Sequence, residues 1–476
     1  MAKNYWIDND EQDNLDPISS ILSEWSDPEE EEEEFRSDFF QGLSGRRKKA
    51  AFVLMGVWGV VMTLHVVAWG TGIIIALTTV FTLQAFRLIF AQPDPIPEPL
   101  SEEGLQQAPS VSLLVAAKNE EAVIGKLVEQ LCNLDYPREK YDLWIVDDHS
   151  TDKTPEILDR LSKDYPQLNV IHRGAGAQGG KSGALNGVFP ETKGDILAVF
   201  DADAKVTPDL LKRVVPLFNQ EKIGAVQVRK QIANEPLNFW TKGQAAEMAL
   251  DSFFQQKRIS LGGIGELRGN GQFVRRTALI NCGGWNEQTI TDDLDLTMRL
   301  HLDDWKIGFL NHPAVQEEGV TTAKALWHQR NRWAEGGYQR YLDYWRFIFN
   351  QPMGLGKRFD LISFILMQYL LPTAAIPDLM MIVTRHRLPV LGPLTGLMLS
   401  LSFWGMFTGL RRIKNQETFQ FMDIFGFGWQ TLRGMVYMMH WLIIMPCVTA
   451  RMSIRPKRLK WVKTVHEGTP EESYQV

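Results

Sequence analysis

The chain has 476 residues, enough for two to four domains. Its composition is 45 % apolar and 22 % charged, with three scattered cysteines (Cys132, Cys282, Cys447), which excludes disordered, collagen-like, disulfide-stapled and zinc-cluster classes. The net charge of −7 is lopsided: residues 1–38 hold 14 Asp and Glu against 2 Lys and Arg, a local −12, so the rest is +5, which argues against nucleic acid as partner and suits a membrane surface.

Residues 1–45 read as an acidic, disordered tail, densest in charge at Glu29–Glu34. From Ala50 to Phe86 there is no Asp, Glu, Lys or Arg. That run is far longer than the ~20 residues one bilayer crossing needs. Residues 46–91 are therefore expected to form two membrane helices, turning at Gly70-Thr71-Gly72, with Arg87 snorkelling from the second. The run starts too late, and is too long, for a signal peptide. Arg46, Arg47, Lys48 and Lys49 place its leading end in the cytoplasm, and two crossings return the chain to that side. Pro93, Pro95, Pro97 and Pro99 make residues 92–109 a stiff linker.

Residues 110–320 alternate strand and helix. Val111–Ala117, Leu143–Val146, Leu168–Ile171 and Ile196–Phe200 read as buried strands, with helices expected over Glu120–Leu131 and Thr154–Leu161. That alternation predicts an α/β domain with a mostly parallel sheet. Ligands of such sheets bind at the carboxyl ends of the strands. Just after the strands come Lys118-Asn119-Glu120-Glu121, Asp147-Asp148-His149-Ser150 and Asp201-Ala202-Asp203, and later Thr291-Asp292-Asp293. Carboxylates gathered on one sheet edge repel and call for a cation or a donor-rich ligand. Such oxygen donors select Mg²⁺ or Mn²⁺, which take phosphate oxygens and water. An Asp-x-Asp pair is weak evidence alone, and Asp201/Asp203 gains weight from the buried strand before it. A helix cap and a turn are the ordinary alternatives for Asp203 and Asp148. Gly179-Gly180-Lys181-Ser182-Gly183 lacks the spacing of a Walker loop, although Lys181 suits a site beside a diphosphate.

Residues 321–358 are expected to form amphipathic interfacial helices. There Gln329, Arg332 and Trp333 fall at i, i+3 and i+4 on one face. Trp333 reads either as a sugar platform or, with Trp327 and Trp345, as a membrane anchor. Residues 359–455 should hold membrane helices at Leu361–Thr384, Leu388–Leu410 and Gly434–Ala450, and an interfacial helix over Glu417–Leu432. Residues 456–476 form a polar tail. Arg411, Arg412 and Lys414, and then Arg455, Lys457, Arg458 and Lys460, all ask for the cytoplasmic side, which three crossings after residue 359 cannot deliver. Asp378 is either an intramembrane functional carboxylate or a water-facing residue near a helix end.

Taken in order, Asp147-Asp148, Gly180-Lys181-Ser182-Gly183-Ala184-Leu185-Asn186, Asp201-x-Asp203, Gly269-Asn270-Gly271, Thr291-Asp292-Asp293 and Gln329-x-x-Arg332-Trp333 form a set. It resembles the family 2 inverting glycosyltransferases, most of all the membrane-bound branch with cellulose and hyaluronan synthases. The resemblance implies an α/β GT-A (nucleotide-diphospho-sugar transferase) domain flanked by transmembrane helices, with the catalytic domain cytoplasmic. It implies that Asp148 and Lys181 bind the nucleotide sugar and that Asp201 and Asp203 bind the metal and diphosphate. It makes Asp293 the general base, with Asp292 where the family has Glu. Gln329, Arg332 and Trp333 then lie by the diphosphate, and Asn270, Asp292 and Trp333 on the acceptor side. The acidic extension, the single Thr-Asp-Asp and the short C-terminal helix set resemble glycolipid-forming members. These imply UDP-glucose as donor, diacylglycerol of the bilayer as acceptor, and Mg²⁺ or Mn²⁺ as cofactor. A processive β-polysaccharide synthase is the alternative. A non-enzymatic scaffold is weaker, because no charged motif position is lost. Oligomeric state stays open.

Overall fold

The computed structural model describes residues 46–67, 69–350, 353–386, 388–414 and 422–454. The acidic tail, the basic cluster from Arg455 onward, the polar tail and the first part of the expected interfacial helix Glu417–Leu432 lie outside the described residues.

Seven strands form one sheet: β1 (Val111–Ala117), β2 (Tyr141–Asp147), β3 (Leu168–His172), β4 (Ile196–Phe200), β5 (Ile223–Ile232), β6 (Gln272–Arg275) and β7 (Lys306–Glu317). Their order is β3-β2-β1-β4-β6-β5-β7. The four strands read from sequence run parallel, with Val111 opposite both Tyr141 and Ile196. The mostly parallel sheet expected from sequence is what the structure has, with one reversal: β6 lies antiparallel between β4 and β5, so the sheet is mixed at that point.

Both faces of the sheet are covered, which is why β1 is apolar at nearly every position. Val111, Leu113 and Val115 pack with Ile124, Leu127 and Leu131 of α3 (Ile124–Cys132). Leu114 points the other way, to Leu185 of α5 (Gly180–Val188) and Leu296 and Leu300 of α7 (Asp292–Leu302). On the first face α4 (Thr154–Asp164) follows β2. Helix α3 starts four residues later than expected. Asn119 takes a left-handed φ of 54°, and the next two amides are held from outside, Glu120 N donating to Thr154 Oγ1 and Glu121 N to Asp152 Oδ2.

Around this domain lie helices α1 (Arg46–Val66), α2 (Gly70–Phe90), α6 (Phe239–Ser260), α8 (Ala323–Asn350), α9 (Leu355–Ile365), α10 (Leu371–Arg385), α11 (Gly392–Ile413), α12 (Asp423–Met438) and α13 (Trp441–Ile454). A π-helical turn, Leu366–Leu370, joins α9 to α10. Among the described residues five stretches are long and apolar enough to cross a membrane: α1, α2, Leu355–Arg385, α11 and Asp423–Ile454. Gly70 opens α2 instead of forming the loop. A Cβ there would stand 1.9 Å from Leu64 O, so glycine permits the close return. Helix α10 packs on α1 and α13, and α11 packs on α2, α6 and α12. Asp378 does not face water. It is buried, lies 2.6 Å from His65 Nε2 of α1, and accepts from Val390 N and Leu391 N ahead of α11. One carboxylate thus ties α1, α10 and the entry to α11.

Candidate active site at the carboxyl edge of the sheet

Strands β1, β2 and β4 end side by side, and the residues after them are held by each other. Asn119 N donates to Ser150 Oγ, and Asn119 Oδ1 accepts from Thr151 N. Asp148, after β2, is paired with Arg173 (Nη1 to Oδ1, 2.6 Å), whose guanidinium also donates to Gly180 O and Gln178 O. Arg173 was not among the residues singled out from sequence. It fastens the base-binding candidate to the Lys181 loop.

Lys181 lies in the first turn of α5, after Gly179 with φ 82°, and its Nζ sits 2.5 Å from Asp201 Oδ1. Burial works against its ammonium, but Asp201, Asp292 and Asp293 outweigh that and raise its pKa. Asp203 accepts from Glu318 N at 2.9 Å. Beside it Glu317, at the end of β7, pairs with Lys230 of β5 at 2.7 Å. Burial pushes the Glu317 carboxyl up, against the pull of Lys230. Neither Lys230 nor Glu317 was singled out from sequence.

Asn270 lies beneath the site. It is fully buried, its Oδ1 accepts from Asp201 N, and its Nδ2 lies 3.4 Å from Glu317 Oε2. The acceptor-side role expected for it therefore becomes that of a brace under the Asp201 turn. Gly269 and Gly271 flank it at φ 79° and 70°, conformations that only glycine adopts at low cost.

Asp292 and Asp293 open α7, where the helix N-terminus favours negative charge. Asp293 Oδ1 accepts from Leu294 N at 2.8 Å. Burial, then repulsion from Asp292, push its carboxyl up to about 6, against Lys181 and Lys230. Two buried acceptors nearby, Asp292 Oδ2 and Gln329 Oε1, have no hydrogen-bond partner among the described residues. Arg332 faces the same carboxylates. Burial lowers its pKa, while Asp201, Asp293 and Asp292 oppose that. Trp333 lines the site, with Arg330 4.0 Å from its ring centre and Lys230 5.6 Å.

Asp148, Lys181, Asp201, Asp203, Asp292 and Asp293 line one cavity of about 870 Å³. Gln329, Arg332 and Trp333 line it too, as do Lys230 and Glu317. The cavity continues away from the sheet between α2, α10, α11 and α13, where Ala85, Pro372, Leu401 and Met445 form its walls. A polar floor bearing carboxylates and cations is thus joined to an apolar arm.

Among the described residues no three His, Cys, Asp or Glu converge to hold a metal. Asp201 and Asp203 fit an ion that draws its other oxygens from a bound diphosphate and from water, as Mg²⁺ and Mn²⁺ do. A soft or histidine-seeking metal has no donors here.

The loop carrying Thr291 approaches α8 closely because α8 has glycine there. A Cβ on Gly336 would lie 2.2 Å from Thr291 Oγ1, and one on Gly337 would lie 2.0 Å from the Tyr369 hydroxyl. Gly336→Ala is expected to push the Asp292-Asp293 turn out of place and lower kcat roughly 10²-fold, since ~1 Å at reacting groups costs that much. Gly187→Ala, in open space on α5, should leave kcat unchanged. Steady-state rates of the two variants check this, and equal rates would refute it.

Comparison with known proteins extends the geometry. The family model described as glycosyltransferase like family 2 matches residues 108–336. A β-monoglucosyldiacylglycerol synthase of Synechocystis sp. is 61 % identical over 473 residues, 99 % of this chain and 98 % of its own. One of Nostoc sp. is 60 % identical over 472 residues, 99 % of this chain and 100 % of its own. A mannosyltransferase of Pyrobaculum calidifontis, solved in complex with GDP-Man and Mn²⁺, aligns at TM-score 0.55 over 86 % of this chain and 99 % of its own. At 18 % identity that is a likeness of fold, and with the family match it makes the domain GT-A-like.

Proposed function

The chain belongs to glycosyltransferase family 2, and from that premise we propose that it transfers glucose from UDP-glucose to a membrane diacylglycerol, giving β-monoglucosyldiacylglycerol. The observation that carries this reading is the continuity of one cavity from Asp293 to helices apolar enough to cross a membrane. The activity of these relatives supplies the lipid class.

The chemistry assigned to the residues is a single displacement. The Asp293 carboxylate takes the proton of the acceptor hydroxyl. That oxygen bonds to the anomeric carbon as the bond to the diphosphate breaks on the opposite face, so an α-linked donor gives a β-linked product. UDP leaves with the electron pair. Arg332 and Lys181 face the growing charge on the diphosphate. Asp201 and Asp203 would hold the divalent ion, which when bound neutralises diphosphate charge. Asp148, fixed by Arg173, is assigned the nucleotide base. Trp333 and Asp292 border the acceptor.

Contacts also support a membrane topology. Gln430 Nε2 donates to Lys242 O and Trp441 Nε1 to Glu247 Oε1, both on α6, and Arg451 pairs with Glu335 of α8. Helices α12 and α13 are thereby fastened to the catalytic domain at three points along their length. In our reading they stay on that side and the chain crosses four times. Both basic flanks, at Arg46 and at Arg455, then share the cytoplasmic side with the catalytic domain, which removes the conflict in the charge pattern.

The test is to supply membranes holding the protein with labelled UDP-glucose, Mg²⁺ and diacylglycerol. One discrete, β-glucosidase-sensitive glycolipid supports the reading, and label in insoluble polymer overturns it in favour of a processive synthase. For the metal, Asp203→Ala is expected to abolish the Mg²⁺ dependence of UDP-glucose affinity. A titration of Mg²⁺ against donor binding identical to that of the parent would reject the assignment.

A further inference from the structure

The apolar arm of the cavity opens sideways. Leu399 of α11, Val436 of α12, Met439 in the turn after it and Leu442 of α13 all line the cavity, yet they are 54 %, 60 %, 58 % and 43 % exposed. Residues that belong both to a cavity wall and to an outer apolar surface mark a mouth. Because α12 and α13 are fastened to the catalytic domain, this mouth lies at the leaflet next to that domain. A lipid hydroxyl lies at that headgroup level.

The wall behind the mouth is rich in methionine: Met367, Met398, Met435, Met438 and Met445 all face the cavity. Unbranched thioether side chains repack around ligands of varied shape, which suits acyl chains of mixed length and unsaturation. Among these apolar residues stand two amides, Gln84 of α2, which accepts from Arg87 Nη1, and Gln368. Gln368 lies in the π-helical turn Leu366–Leu370, lines the cavity and is exposed to it. Its side chain has no hydrogen-bond partner among the described residues. π-Turns are costly interruptions that recur at functional sites, and this one sets an amide in the membrane arm.

Resting on the proposed function, we infer that diacylglycerol enters through the Leu399–Val436–Leu442 mouth from the adjacent leaflet, its chains against the methionine wall, and that Gln368 hydrogen-bonds the glycerol ester to aim the free hydroxyl at Asp293. The amide reads what both chains share, the ester carbonyl. The methionine wall leaves chain identity loosely specified.

Two variants in lipid nanodiscs with UDP-glucose and Mg²⁺ test this. Gln368→Leu is expected to raise KM for dioleoylglycerol about 10-fold, the loss of one hydrogen bond, with KM for UDP-glucose unchanged and partial recovery in Gln368→Asn. Val436→Trp, which narrows the mouth, should slow transfer to dioleoylglycerol several-fold more than to dihexanoylglycerol, whose short chains clear it. Parental acceptor KM in Gln368→Leu, or an equal loss for both chain lengths in Val436→Trp, overturns the inference. If the parent protein makes no glucolipid at all, the proposed function itself fails, and this is distinguishable because the parent is assayed first.

Discussion

Asp293→Asn is expected to lower kcat by ~10²–10⁴-fold, the usual contribution of a positioned general base, and to leave UDP-glucose affinity nearly intact. The amide keeps the shape of the carboxylate, including an oxygen to accept from Leu294 N. What it loses is the ability to take a proton. The pH dependence follows with a defined sign. Burial and Asp292 raise the carboxyl to about 6, and the base form is the deprotonated one. The kcat/KM of the parent should therefore fall tenfold per unit below about 6 and level off above it, and in Asp293→Asn the residual rate should lose this limb. A folding defect is separable. An acid whose pKa is raised by folding favours the fold at low pH, and that support is lost as pH rises through the folded value. An uncharged isostere removes the cost of ionisation, so the variant should melt no lower than the parent near neutral pH. Unchanged turnover, or an acid limb that persists in the variant, would displace Asp293 from the reaction.

The parts of the site legible in sequence share one property: each follows a strong local pattern. Asp148 and Asp201 come directly after buried apolar strands, and Gln329, Arg332 and Trp333 share a helix face. Local pattern was enough to place them on one cavity. Lys230 and Glu317 were missed for the opposite reason. Lys230 sits in Gln227-Val228-Arg229-Lys230-Gln231, which reads as an ordinary solvated strand edge. It reaches the site only because β5 pairs with β7, more than eighty residues later, bringing Lys230 beside Val315 and the end of that strand. Asn270 shows a further limit. Its turn was legible from the flanking glycines, but not whether its side chain faces up to a ligand or down to Asp201 N. The same holds for α12 and α13, whose hydropathy suits a crossing while Gln430 and Arg451 bond to α6 and α8. Hydropathy sees length and composition and not the partner across the interface.

Arg332→Ala is expected to cost ~10²–10³-fold in kcat, the size seen when one preorganised donor to a developing negative charge is removed. The argument is electrostatic. Arg332 is buried deeply enough for desolvation to lower its pKa, and it holds its place against that through Asp201, Asp292 and Asp293. Such a cation is poised for a diphosphate, whose charge grows as the sugar departs. Arg332→Lys should recover only part of the rate, because an ammonium cannot match the two-pronged fit of a guanidinium to phosphate oxygens. A second readout sets this role apart from a merely structural one. Removing the cation takes away attraction that favours ionised Asp293, so the acid limb of kcat/KM should move to higher pH in Arg332→Ala, above the value of about 6 expected for the parent. A structural defect would lower the plateau and leave the limb in place. An unshifted limb with a lowered plateau would therefore deny Arg332 its place facing the carboxylates, and a parental plateau would deny it the leaving group.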